Sequence, residues 1–168
     1  MKFTTKMLSI LSLLIFISST VTPAANPPSR KFKEDLLQQI NKVRRQGCYC
    51  GSKFMPPVGN VTWNDQLAKA ALDLAKDMAK YKYFSHTSRN GSSLKDRVYK
   101  AGYTLSGWKS IAFGENIAWG QRSTIEVMTS WIKSERHCKN LMNQAFKEVG
   151  VAEVNDYWVQ NFGGRVGF

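Results

Sequence analysis

The spacing of apolar residues changes along this chain, and the change limits what it can fold into. Leu36, Leu37, Ile40 and Val43 recur at helical spacing, as do Leu67, Ala71, Leu74, Ala75 and Met78. Near the C-terminus the period falls to two. Val149–Val154 and Tyr157–Phe162 alternate as strands do, with a turn at Asn155-Asp156 between them. Helices written first and paired strands last make an α+β protein, an antiparallel sheet covered by helices.

The punctuation agrees with the periods. A first helix is predicted over Ser29–Gln46, stopped by Gly47, and a loop over residues 51–59, where Pro56-Pro57 forbids regular structure. Asn64 or Asp65 can cap a second helix running to about Tyr81. Ser92-Ser93 can cap a short third one through Tyr99, ended by Gly102. Phe113–Trp119 reads as a strand. Ser123-x-x-Glu126 has the form of a capping box and opens a fourth helix, with Val127, Met128, Trp131 and Ile132 on its apolar side.

The N-terminus points to a compartment. Lys2 and Lys6 precede a short apolar run, Leu8–Ile17, and then small and polar residues through Ala25. That is the pattern of a cleaved secretory signal, and the run falls well short of the ~20 apolar residues of a membrane-spanning helix. We expect residues 1–25 to be the signal, 26–31 a linker, and 32–168 one domain, secreted or periplasmic and monomeric. The chain carries 24 Lys+Arg against 12 Asp+Glu. Such a balance favours anionic partners, acidic lipids or envelope polymers. The basic residues are scattered and form no nucleic-acid motif, so nucleic acid is a poor partner.

An exported chain can form disulfides. Its three cysteines are Cys48, Cys50 and Cys138. The first two are too close in sequence to pair comfortably, so one of them is expected to reach Cys138 and leave an odd thiol. Their spacing with a histidine matches no standard zinc knuckle.

Chemistry rests on few residues. The chain has two histidines, His86 and His137, and between them Glu115 interrupts an otherwise apolar strand. A carboxylate there is costly unless it is partnered. A His–Glu–His set can bind a divalent ion or move protons. It can equally be structural, with Glu115 paired to a histidine to tie helix to sheet, and with Asn116 and Asn140 holding loops through backbone bonds. Trp131, Trp158 and Phe162 read as core.

Five segments occur in a telling order: FSHTS, GENIAWG, WIKSERHCKNLM, EVGVAEV and YWVQNFGG. Together they resemble the signatures of the CAP superfamily (cysteine-rich secretory, antigen 5 and pathogenesis-related proteins), in its compact secreted bacterial branch. The resemblance covers about Phe32 to Gly164. It implies a three-layer α-β-α sandwich, with a small antiparallel sheet between helices and an open cleft. It assigns His86 and His137 as the cleft histidines and Glu115 as the first acid. Where animal and plant relatives carry a second acid, Ser134 stands here; Glu135 is one position on, turned by about 100° on a helix. Ser134, Glu135, Asn116 and Asn140 are the expected supports of the cleft. The resemblance also favours Cys50 over Cys48 as the partner of Cys138.

The function it implies is a secreted binding or effector module for lipid or envelope components. One alternative is a hydrolase or lyase acting on an envelope polymer or peptide, with His86 as base, Glu115 orienting it, and Ser85 or Ser134 nearby. Another is a metal-dependent binder holding a divalent ion such as zinc on His86 and His137.

Overall fold

The computed structural model describes residues 28–168; the expected signal segment lies outside them. Helix α1 spans Arg30–Gln46, and the Ser29 hydroxyl accepts the Phe32 N–H at its start. Gly47, at φ +72°, ends it. Strands β1 (Cys48–Cys50) and β2 (Lys53–Met55) then form a small hairpin. This corrects the expectation of a loop beginning at Gly51. That glycine makes the hairpin turn at φ +65°, and the prolines act only beyond β2.

Strand β3 (Thr62–Trp63) leads into helix α2 (Asp65–Tyr81), whose cap is Asn64, accepting the N–H groups of Gln66 and Leu67. Helix α3 (Leu94–Lys100) opens with a complete capping box, Ser93 with Asp96. Strand β4 (Ser110–Trp119) is followed by helices α4 (Thr124–Lys133) and α5 (Glu135–Leu141). Strands β5 (Glu148–Val154) and β6 (Tyr157–Val166) close the chain. Only half of the box expected at α4 forms. Ser123 accepts the Glu126 N–H, but the Glu126 carboxylate reaches past it to the N–H of Arg122.

The main sheet has the order β3-β5-β6-β4. It is antiparallel except at one edge, where β3 runs parallel to β5 for two residues. Leu36 and Ile40 of α1, Trp131 of α4 and Leu141 of α5 pack on one face with Val149, Val151 and Phe162. Ala71, Leu74, Ala75 and Met78 of α2 pack on the other with Ile117, Ala152 and Val159. The result is the expected three layers. Gly150 sets one spacing: a side chain there would drive into the Leu67–Ala68 backbone of α2.

Two features tie the loops. The Arg44 side chain is fully buried and donates to the carbonyls of Gly59 (2.7 Å), Leu141 (2.6 Å), Asn143 (3.2 Å) and Phe146 (3.1 Å). A Cys50–Cys138 disulfide fastens the hairpin to α5, with Cα atoms 5.4 Å apart.

Candidate functional site

Strand β4 lies at an edge of the sheet, and successive side chains of a strand point to opposite faces. Glu115 and Asn116 therefore serve different layers. Glu115 turns toward the side of α2 and α3. Its side chain is only 3% exposed, and Arg97 of α3 meets it at 2.8 Å. The other carboxylate oxygen takes His86 Nδ1, also at 2.8 Å. With its amide oriented to satisfy both neighbours, Asn161 of β6 donates to Glu115 as well (3.0 Å) and accepts the Ala71 N–H. The cost of burying this carboxylate is thus met by a guanidinium, an imidazole and an amide.

The loop that carries His86 is held from two directions. Tyr83 donates its hydroxyl to Asp77 of α2, and the Arg89 N–H donates to that same carboxylate (2.9 Å). Burial and the Asp77 charge push the Tyr83 hydroxyl up to about 12, so it remains a donor. Arg97 donates to Ser88 Oγ (3.1 Å) and to the Ser92 carbonyl (2.9 Å). Between these anchors the His86 side chain stays 53% exposed.

Asn116 faces the other layer. Its amide donates to Gln160 (2.9 Å) and to the carbonyl of His137 (3.2 Å). Asn140 donates to the Glu115 carbonyl (3.1 Å) and to the Asn116 side chain (2.9 Å). These bonds lash α5 to β4 and fix His137 above the edge strand. Burial first, then the charges of His86 and Arg136, hold the His137 imidazole below its ordinary range. Its ring is therefore neutral at neutral pH.

The two histidines thus approach the rim of β4 from opposite layers and line one open cleft of about 500 Å³. Phe84, Trp119, Gln121 and Arg136 share that lining. Trp119 is 60% exposed and stacks on Tyr157 with ring centroids 5.7 Å apart. Sequence reasoning missed Arg97, Phe84, Trp119 and Arg136. No motif marks Arg97; Phe84 and Trp119 sit inside the segments FSHTS and GENIAWG or beside them, but read as ordinary apolar residues.

The remaining expected residues take other places. Ser134 separates α4 from α5, and its side chain makes no capping bond. Glu135 pairs with Lys139 and packs against Gly51 of the hairpin turn, without joining Glu115. Ser134, Glu135 and His137 do border a second shallow hollow. Ser85 Oγ accepts the Thr87 N–H (3.1 Å), and among the described residues no serine hydroxyl bonds to either imidazole. The described group of three metal-ligating side chains that converges is Cys48, Cys50 and Cys138, not the histidines.

Residues 37–162 match the family model of the cysteine-rich secretory protein family, CAP. Two Bacillus subtilis proteins are similar. One, named uncharacterized protein YkwD, is 35% identical over 104 residues, 61% of this chain and 38% of its own. The other, named uncharacterized membrane protein YlbC, is 31% identical over 105 residues, 62% of this chain and 29% of its own. The chain thus spans about a third of these relatives. Among solved structures, an extracellular protein containing an SCP domain from Bacillus anthracis aligns with TM-score 0.61 and 27% identity, over 84% of this chain and 44% of its own. An outer surface protein of Borrelia burgdorferi aligns with TM-score 0.62 and 20% identity, over 79% and 91%. A structure of NaASP2 with Zn2+ shares the fold at TM-score 0.52 and 12% identity, over 83% and 82%.

Proposed function

This chain belongs to the cysteine-rich secretory protein (CAP) family, and from that premise we propose that it is an exported binding module whose cleft takes an anionic envelope component, a lipid head group or a wall polymer. The observation that supports this reading is the make-up of the cleft. Exposed Phe84 and Trp119 stand beside Arg136 and two imidazoles, so apolar contact and positive charge are offered together. Exposed aromatics and arginine at one concave site are the residue types that dominate recognition surfaces. The basic excess of the whole chain draws anions toward it.

A hydrolytic role has less support. Glu115 is engaged by Arg97 as well as by His86, and among the described residues no serine hydroxyl is hydrogen-bonded to either ring, although Ser85 and Ser130 share the cleft lining. The metal-binding reading is favoured by one detail. Nδ1 of His86 faces Glu115 at 2.8 Å, so in the neutral tautomer that donates Nδ1–H to this carboxylate Nε2 has a free electron pair, the arrangement found behind metal-bound histidines. The donor set fits a divalent ion only in part, since among the described residues no carboxylate converges with the two rings as a third ligand. His86 and His137 would hold the ion and water would fill its other positions, so zinc should bind weakly.

The test is a titration of the protein lacking residues 1–25, followed by tryptophan fluorescence. Phosphatidylglycerol vesicles, phosphatidylcholine vesicles and a soluble anionic wall polymer are compared. Binding to an anionic probe should weaken on adding salt. It should fall by about tenfold in Trp119→Ala and in Arg136→Ala, the size expected of a central contact. Equal binding to neutral vesicles, or variants that bind like the parent, would overturn the proposal.

A further inference from the structure

The sulfurs of Cys48, Cys50 and Cys138 lie together outside the cleft. Cys50 and Cys138 are bridged, and Cys48 is the free thiol among the described cysteines. Its Sγ is 3.3 Å from Cys138 Sγ and 4.0 Å from Cys50 Sγ. Two residues apart on β1, Cys48 and Cys50 project from the same face of the strand, toward α5. Cys138 therefore has two sulfurs in reach, presented from neighbouring positions of one strand. We propose that the three sulfurs form an exchange centre in which the bridge migrates between Cys50–Cys138 and Cys48–Cys138.

The step balances without an oxidant. The Cys48 thiolate attacks Cys138 Sγ, a new Cys48–Cys138 bond forms, and the Cys50–Cys138 bond breaks. The electron pair leaves on Cys50 Sγ, which takes up the proton that Cys48 gave. Cys138 is the nearer target and the productive one, because a bridge between Cys48 and Cys50 would strain so short a ring. The thiol lies beside the bridge, so attack along the S–S axis requires it to swing about its own Cα–Cβ bond. Burial keeps Cys48 protonated at rest, so exchange is slow compared with an exposed, activated thiol.

Chain entropy does not separate the two bridges. They close loops of 88 and 90 residues, and the stabilisation from closure depends only on the logarithm of that length. Local packing alone sets the balance. Cys138 follows His137 directly on α5, so bridge migration would shift the segment that presents the cleft histidine.

Two measurements test this. In the first, the native wild-type protein is held at neutral pH, alkylated, acidified and mapped without reduction. The Cys48–Cys138 peptide with alkylated Cys50 should be present beside the Cys50–Cys138 peptide with alkylated Cys48. In the second, Cys50→Ser is purified under oxidising conditions and its thiols are titrated after denaturation. A relocated bridge leaves none free, whereas an unbridged chain leaves two. Detection of alkylated Cys48 alone in the wild type overturns the proposal, and so does a count of two thiols in a folded Cys50→Ser. Should Cys50→Ser fail to fold, the wild-type map decides by itself.

Discussion

Two carboxylates stand inside this fold under similar guard, and they do different work. Glu148 of β5 accepts the Tyr103 hydroxyl (2.6 Å), the Asn64 amide (2.8 Å) and Arg165 (3.0 Å). Every one of those donors belongs to the scaffold, and together they join the cap of α2 to the two strands and the segment after α3. Glu115 is more deeply buried than Glu148, whose side chain is 18% exposed, and it too meets an arginine. One of its partners, His86, opens to solvent. A carboxylate with only internal donors is a tie. A carboxylate with one donor facing the solvent also orients a group that can touch something else.

The largest effect should come from breaking the tighter of the two pairs. Arg97→Met leaves Glu115 charged and short of a partner in a buried place, which should cost about 3–5 kcal/mol in urea unfolding. Glu148→Ala should cost less, about 1–3 kcal/mol, because Asn64 and Arg165 retain some access to water and only the buried Tyr103 hydroxyl is left without its acceptor. If Glu148→Ala proved the more damaging, the ranking by burial would be wrong.

His86→Ala sharpens the contrast between stability and function. A half-exposed contact such as His86 with Glu115 contributes little, so stability should fall by no more than about 1 kcal/mol. Zinc binding, followed by calorimetry, should nevertheless be lost. A large drop in melting temperature with zinc binding unchanged would make His86 a tie like the donors of Glu148.

The smallest effect is one of pH. The folded His137 imidazole titrates below its ordinary value of 6.5 because it is buried and faces the charges of His86 and Arg136. Above that value the ring is neutral in both folded and unfolded states. As the pH falls through it, the unfolded chain takes up the proton first, so stability declines until the folded ring titrates too. His137→Gln should flatten this part of the stability profile. A profile identical to that of the parent would assign the slope to other groups.

Much of the fold was legible because its signals are local. Asn64 and Ser93, among the caps the sequence offers, are caps in the structure, the first helix begins within one residue of Ser29, and the turn at Asn155-Asp156 falls where two alternating runs meet. The hairpin at Cys48–Met55 and the parallel strand Thr62–Trp63 were not legible. Three-residue and two-residue strands have no period to read, and their pairing depends on distant chain. The site shows the same division. His86 and His137 stand out as the two histidines of the sequence and Glu115 as an acid within an apolar strand, and the alternation of β4 tells that Glu115 and Asn116 face opposite ways. Nothing in the local sequence says that Arg97, on a helix of seven residues, is the one that meets Glu115.

Arg44 carries a consequence for time. Its guanidinium is satisfied only when carbonyls from residues 141 to 146 arrive, up to 102 positions later in the chain. Contacts of such separation form late, since a long loop must close before they return any energy. During synthesis the first helix therefore waits with a charged side chain still in water, unable to settle onto its layer. A chain interrupted before Phe146 should keep α1 undocked, since it lacks both the last of those carbonyls and the strands β5 and β6 on which Leu36 and Ile40 pack. Of the described helices, α1 is thus made first and seated among the last, and its layer stays open until the strands near the end of the domain exist.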